Sequence, residues 1–188
     1  MNVNFVIFLF KQPVMKKIKF SKSFLFLFVF STIGLIATAQ RLSPATTATG
    51  TINGANITVK YSSPSVRGRV IYGDLVPYNE VWRAGANEAT IFETDKDLTI
   101  EGKTLPAGKY SLYIIPSEKD WIIIFNSKTG QWGINRDGTT TEDPSKDVIR
   151  VTVTPKKTTT ITESLVYTIN KDGVVLSWEF LDVPISIK

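Results

Sequence analysis

From Thr49 onward, apolar and polar side chains alternate with a period of two, in short runs broken by turn residues. Ile57, Val59 and Tyr61 interleave with Thr58 and Lys60, which predicts a strand over 56–61 with one buried and one wet face. Asn53-Gly54 separates that strand from 49–52, and Asn-Gly is a strong signal for a two-residue hairpin. The polar stretch 40–48 reads as loose. After Ser62-Ser63-Pro64-Ser65 breaks the pattern, Val70-Ile71-Tyr72 reads as a short strand ending at Gly73. A strand is expected over 89–93, and Leu98-Thr99-Ile100 turns at Glu101-Gly102 into Lys103-Thr104-Leu105. Pro106-Ala107-Gly108 leads into a strand over 109–115, where Tyr110, Leu112 and Ile114 share a face. Trp121 to Phe125 is apolar at every position, the mark of a strand covered on both faces. The longest loop runs from Asn126 to Ser145 and carries Trp132. Long strands follow over 148–154, 161–169 and 174–181, with Lys171-Asp172-Gly173 turning between the last two. Val183, Ile185 and Ile187 alternate as a closing strand, which Pro184 places at an edge.

No helical stripe appears after the N-terminal leader. About ten short strands with frequent turn signals predict an all-β fold, an antiparallel β-sandwich or a flattened barrel.

The leader changes how the composition is read. Residues 15–39 have a basic head (Lys16, Lys17, Lys19, Lys22), an apolar core from Phe24 to Ile36, and Ala37-Thr38-Ala39 before Gln40. That is the three-part plan of a secretory signal peptide cleaved near Ala39-Gln40. The apolar run is shorter than the roughly 20 residues of a spanning helix, so no membrane insertion is expected after cleavage. Residues 1–14 do not fit the plan, and Met15 is the better start. The remaining 40–188 is the size of one domain with one core.

Residues 1–39 hold five lysines and no acid, so of 22 basic and 17 acidic residues, 17 of each remain beyond Ala39. The positive charge belongs to the leader, and no basic patch for nucleic acid is left. Absent cysteine excludes disulfides and a lipid anchor; the expected location is periplasmic or extracellular. Absent cysteine and histidine together exclude Ser-His-Asp and Cys-His nucleophile systems and nearly all zinc sites. No catalytic residue, metal or cofactor is assigned.

The stretch Val81 to Thr90, VWRAGANEAT, is too polar and glycine-containing for an ordinary strand and reads as a shaped loop. With Ser65–Arg69 it supplies three guanidinium groups, Arg67, Arg69 and Arg83, beside Tyr72, Trp82, Asn87 and Glu88. Arginine forks match carboxylate or phosphate in two bonds at once, and tryptophan offers a flat face to a sugar ring. These seven residues are the candidate ligand site. The competing reading is structural: Arg83 pairs with Glu88 or another acid, and Trp82 plugs the end of the core. The acids Glu93, Asp95, Asp97 and Glu101 read as a solvated strand edge. Asn135-Arg136-Asp137-Gly138 fails a calcium loop's spacing and reads as a turn.

The runs Tyr61–Arg69, Ile71–Gly73 and Val81–Thr90, Leu105–Pro116 with Trp121, Trp132-Gly133, Leu176–Glu179 and Val183–Ile185 resemble an exported bacterial family catalogued as domain of unknown function 2911, common in Bacteroidota. The resemblance spans about Leu42 to Ile187. It implies export and a β-rich domain, and it implies no known activity.

Three functions stay open. The first is a binding module for a small polar or anionic ligand such as a saccharide. The second is a structural or interaction protein of the cell envelope. The third is a carbohydrate-active hydrolase or lyase using carboxylates, with Glu88 and Asp74 or Glu80 across a cleft.

Overall fold

A computed structural model describes residues 42–188. The signal-peptide and start-site expectations lie outside these residues. Among the described residues ten strands form, with a single 3-10 turn at Pro144–Lys146. Their order is β1 (Ala45–Ile52), β2 (Ala55–Ser62), β3 (Thr90–Thr94), β4 (Leu98–Ile100), β5 (Lys103–Leu105), β6 (Gly108–Ile115), β7 (Trp121–Asn126), β8 (Asp147–Val153), β9 (Lys156–Asn170) and β10 (Gly173–Ser186). One antiparallel sheet of six strands runs β1-β2-β3-β6-β7-β8; β9-β10 and β4-β5 are two-stranded. None closes into a barrel, so the fold is sandwich-like.

Alternation sets which faces meet. Ile57, Val59 and Tyr61 of β2, Phe92 of β3, Leu112 of β6, and Ile123 and Phe125 of β7 face Leu165, Tyr167, Val174, Leu176 and Trp178 of β9–β10 in one buried cluster. Edge-on rings tighten it: Phe92 meets Phe125 at 5.1 Å and Tyr61 meets Tyr167 at 4.9 Å. Each large side chain buried here contributes about 1.5–3 kcal/mol. β7 is apolar from Trp121 to Phe125 because its other face is covered too, where Ile124 packs with Tyr113 and Ala89. The 127–143 loop reaches that side, since Gln131 Nε2 donates to the Tyr113 hydroxyl (2.8 Å) and Thr141 shares a hydrogen bond with it (3.3 Å).

The hairpin turns match their sequences. Asn53 and Gly54 both sit at positive φ, as do Glu101 and Gly102, the condition for type I′ turns that follow strand twist. Three expectations need correction. Residues 45–48 are strand, not loose chain: Thr46–Ala48 pair in register with Val59–Tyr61. Val70–Tyr72 is not a strand. Val76 N–H bonds Ile71 O (2.8 Å) and Gly73 N–H bonds Val76 O (2.9 Å), which curls the run into turns while Ile71 and Tyr72 plug the core. Val183–Ile187 is not an independent strand. Val183–Ser186 continue β10 past a bulge at Glu179, whose φ is 57°, and Ile187 bridges Ile100.

The bulge lets β10 bend until its end meets its own start. Ile187 N–H donates to Asp172 O (3.1 Å), and Gly173 lies against the Ile185 carbonyl. Gly173 has φ 150°, and a Cβ there would collide with that carbonyl oxygen. Gly173→Ala should therefore destabilise the protein by more than about 1 kcal/mol, read as a lower urea midpoint with unchanged slope.

The acids around β4 cap backbone rather than merely face water. Asp97 Oδ1 accepts from Ala107 N–H (2.7 Å), Glu101 Oε1 from Ser186 N–H (2.5 Å), and Asp95 takes the Asn56 backbone N–H and side-chain amide, both at 2.7 Å. The Asn56 backbone hydrogen bond, then its side-chain bond, holds Asp95 below the usual carboxylate range. Because the folded value is depressed, this stabilisation is full above the unfolded carboxylate pKa and is lost as pH falls through the folded value. Asp95→Asn should flatten that acid limb of a thermal-stability profile; an unchanged limb would assign the loss to other acids.

Candidate functional site

The loop after Asn79 is fixed by backbone pairing at the end of β6. Asn79 N–H donates to Pro116 O (2.7 Å), and Trp82 exchanges two hydrogen bonds with Ile114, at 2.7 and 2.9 Å. Trp82 thus extends the row of β3 beyond its own start and faces the core side. There its ring stacks on Trp178 at 5.9 Å with an interplanar angle of 18°. Trp178 meets Tyr72 edge-on, and Tyr72 meets Trp121, so a chain of aromatic contacts runs from the core to the loop.

Ala84 then turns the chain with φ 55°. Its buried carbonyl accepts from Thr90 Oγ1 and from the Tyr167 hydroxyl, both at 2.9 Å. Burial, then the neighbouring Tyr72 and Tyr61, holds the Tyr167 phenol far above its ordinary range, so it stays a neutral donor. The next carbonyl, Gly85 O, collects both Trp82 Nε1 (3.2 Å) and Arg83 Nε (3.3 Å).

The long loop closes over this segment. Ala89 N–H donates to Gln131 O (3.2 Å), Gly133 N–H to Asn87 O (3.0 Å), and Glu88 bridges Trp132 in antiparallel fashion. Gly133 lies directly on the Arg83 stem, where a Cβ would collide with the side chain. The foot of the loop is clamped by Arg150, which holds Glu142 (3.1 Å) and Asp147 (2.6 Å). Burial, then Asp147, raises the Glu142 carboxyl above its usual value.

Between the two loops lies a cavity of about 700 Å³, walled by Arg69, Leu75, Glu80, Val81, Trp82, Arg83, Asn87, Trp132, Ile134 and Trp178 among others. Four of the seven predicted site residues come together there: Arg69, Trp82, Arg83 and Asn87. Arg69 spends its donors on its own turn, with Nε on Val66 O (3.1 Å) and an amino group on Ser65 O (2.6 Å). Asn87, at φ 59°, donates to Ser43 O (3.2 Å).

Arg83 is different. Nε is its only atom with a hydrogen-bond partner, one terminal nitrogen is buried with none, and no ion pair joins it to an acid among the described residues. The expected Arg83–Glu88 pair is not formed. Burial lowers the pKa of this guanidinium. Trp178 Nε1, in the same wall, is also buried without a partner.

The other three predicted residues lie elsewhere. Arg67 and Gly68 are the central residues of a turn closed by Arg69 N–H on Val66 O (3.1 Å), both at positive φ. From there Arg67 reaches Leu42 O (2.8 Å), and its backbone N–H meets Glu163 (2.9 Å). Tyr72 belongs to the core, with its hydroxyl buried and its pKa raised chiefly by burial. Glu88 lines a separate, shallower groove with Ser62, Lys60 and Thr46, where Ser62 Oγ donates to it at 3.4 Å. Among the described residues, Glu80 is the cavity's one carboxylate, and no group of acids could hold a metal. Asn135–Gly138 is a turn, with Asp137 Oδ1 accepting Thr139 N–H at 3.0 Å.

Sequence reasoning missed Trp178 and Leu75 as cavity residues and placed Trp132 only in a loop. An exposed tryptophan beside a glycine in the longest polar loop was the one available signal; Trp132 is 48% exposed.

The shared Ala84 carbonyl makes a direct test. Tyr167→Phe and Thr90→Val should each cost about 1 kcal/mol, and together more than their sum, because only the double variant leaves that buried oxygen bare. Urea unfolding of the cycle measures the coupling; simple additivity would show that the carbonyl does not join them.

No curated protein and no solved structure matches the chain. A family model described as Protein of unknown function (DUF2911) matches residues 43–187, and the chain belongs to that family.

Proposed function

We propose that the protein is an exported binding module, and that the cavity between the Val81–Glu88 and 127–143 loops holds a small polar or anionic ligand such as a saccharide. The observation that carries this reading is Arg83, a charged fork in the cavity wall with donors that nothing in the described chain accepts. A buried donor left unpaired costs about 1–3 kcal/mol, and more when charged, so a ligand acceptor offsets a cost the free protein carries. Trp132 supplies a half-exposed flat face on the same wall. The volume falls within the range of small-molecule sites.

The carbohydrate-hydrolase reading is supported less. Paired-carboxylate hydrolysis needs two acids across one cleft, and Glu80 and Glu88 line different ones. The envelope-brace reading fits one part of the motif: Arg67 and Arg69 end on backbone carbonyls and secure a turn against β9.

The test is a thermal-shift screen of mono- and oligosaccharides and small organic anions against wild type, Arg83→Ala and Trp132→Ala. A ligand should raise the wild-type midpoint, and both variants should lose that rise while remaining folded. Folded variants that respond as wild type does would remove the cavity as the binding site.

A further inference from the structure

We infer that the ligand of this cavity carries a single carboxylate on a ring, with the carboxylate seated on Arg83 and the ring against Trp132; this rests on the binding reading above. The charge of the wall comes first. Among the described residues its ionisable side chains are Arg69, Glu80 and Arg83, a balance of plus one. A monoanion neutralises that balance, whereas a phosphate ester carries close to two charges and would meet Glu80 with one in excess.

The donors come second. Arg69 is committed to the Ser65 and Val66 carbonyls, so among the described residues of the wall Arg83 offers the unused fork. A planar fork matches a planar carboxylate, in shape as well as charge. Trp178 Nε1 adds a second buried donor without a partner in the same wall. Both unmet groups are donors, which matches a ligand that brings acceptors.

The rest of the wall comes third. Leu75, Val81, Ile134 and Trp132 are apolar, and Leu75 and Trp132 are 45% and 48% exposed. Such a surface suits a ring face rather than further charge. A sugar acid and an arylacetic acid share this chemistry, and the two sources are separable by experiment.

Isothermal titration of the full mature protein should use glucuronate, its neutral amide glucuronamide, glucose, glucose 6-phosphate and phenylacetate. Either glucuronate or phenylacetate should bind at least tenfold more tightly than glucuronamide, glucose and glucose 6-phosphate. Which of the two binds better identifies the ring. Arg83→Gln should remove at least tenfold of that affinity, with folding checked by circular dichroism. The acid-versus-amide comparison needs wild type only and stands even if the variant fails to fold. Equal binding of glucuronate and glucuronamide, without phenylacetate binding, would overturn the carboxylate inference while leaving a saccharide module intact. Tighter binding of glucose 6-phosphate would overturn it in favour of a dianion. Failure of all five probes would also overturn it, and the broad screen would then judge the binding reading separately.

Discussion

One oxygen fixes the end of the sandwich: the carbonyl of Ala84. It accepts one hydrogen bond from Thr90 on the six-stranded sheet and another from Tyr167 on the two-stranded one. Ala84 reaches that position only by adopting positive φ, which costs of order 1 kcal/mol for a residue with a Cβ. Two buried hydrogen bonds offset the strain and leave the loop little freedom. Trp82, Arg83 and Gly85 follow from this. The residues before Ala84 must run beside β6, and Gly85 O must face back toward the Trp82 and Arg83 side chains. The cavity wall is therefore part of how the two sheets are joined.

The long loop answers a second constraint, the apolar outer face of β7. Ile124 and Tyr113 cannot be left to water, and Gln131 and Thr141 bring the loop over them by bonding the Tyr113 hydroxyl. Once there, residues 131–133 pair with 87–89, and a glycine is required where the loop meets Arg83. The covering of one sheet face and the closing of the cavity are thus one event.

Much of the fold was legible because its rules are local. Period-two alternation in β2 and β6, and turn residues at Asn53-Gly54 and Glu101-Gly102, depend on neighbours a few positions apart. What failed depends on distant contacts. Val70-Ile71-Tyr72 has strand composition, yet Val76 folds back onto it and its side chains fill the core. The bulge at Glu179 carries no glycine to announce it. At the site, the Val81–Glu88 segment stood out by composition, but its partners Trp132 and Trp178 come from far along the chain. The fate of Arg83 turned on whether an acid reached it, which spacing to Glu88 could not decide.

The arginines then separate by the same test of satisfaction. Arg67 and Arg69 spend donors on backbone carbonyls near their own turn, an economical brace on an exposed tip. Arg83 is half-buried, its stem packed against Gly133, and one of its terminal nitrogens is buried without a partner. A residue needed only to fill space there would be more stable as an apolar side chain, since an unmet buried donor costs about 1–3 kcal/mol out of a total of roughly 5–15 kcal/mol. Local rules are broken at functional sites and compensated elsewhere. Here the compensation is visible in the doubly bonded Ala84 carbonyl one residue away, which holds the loop firmly enough to keep an unsatisfied cation in place.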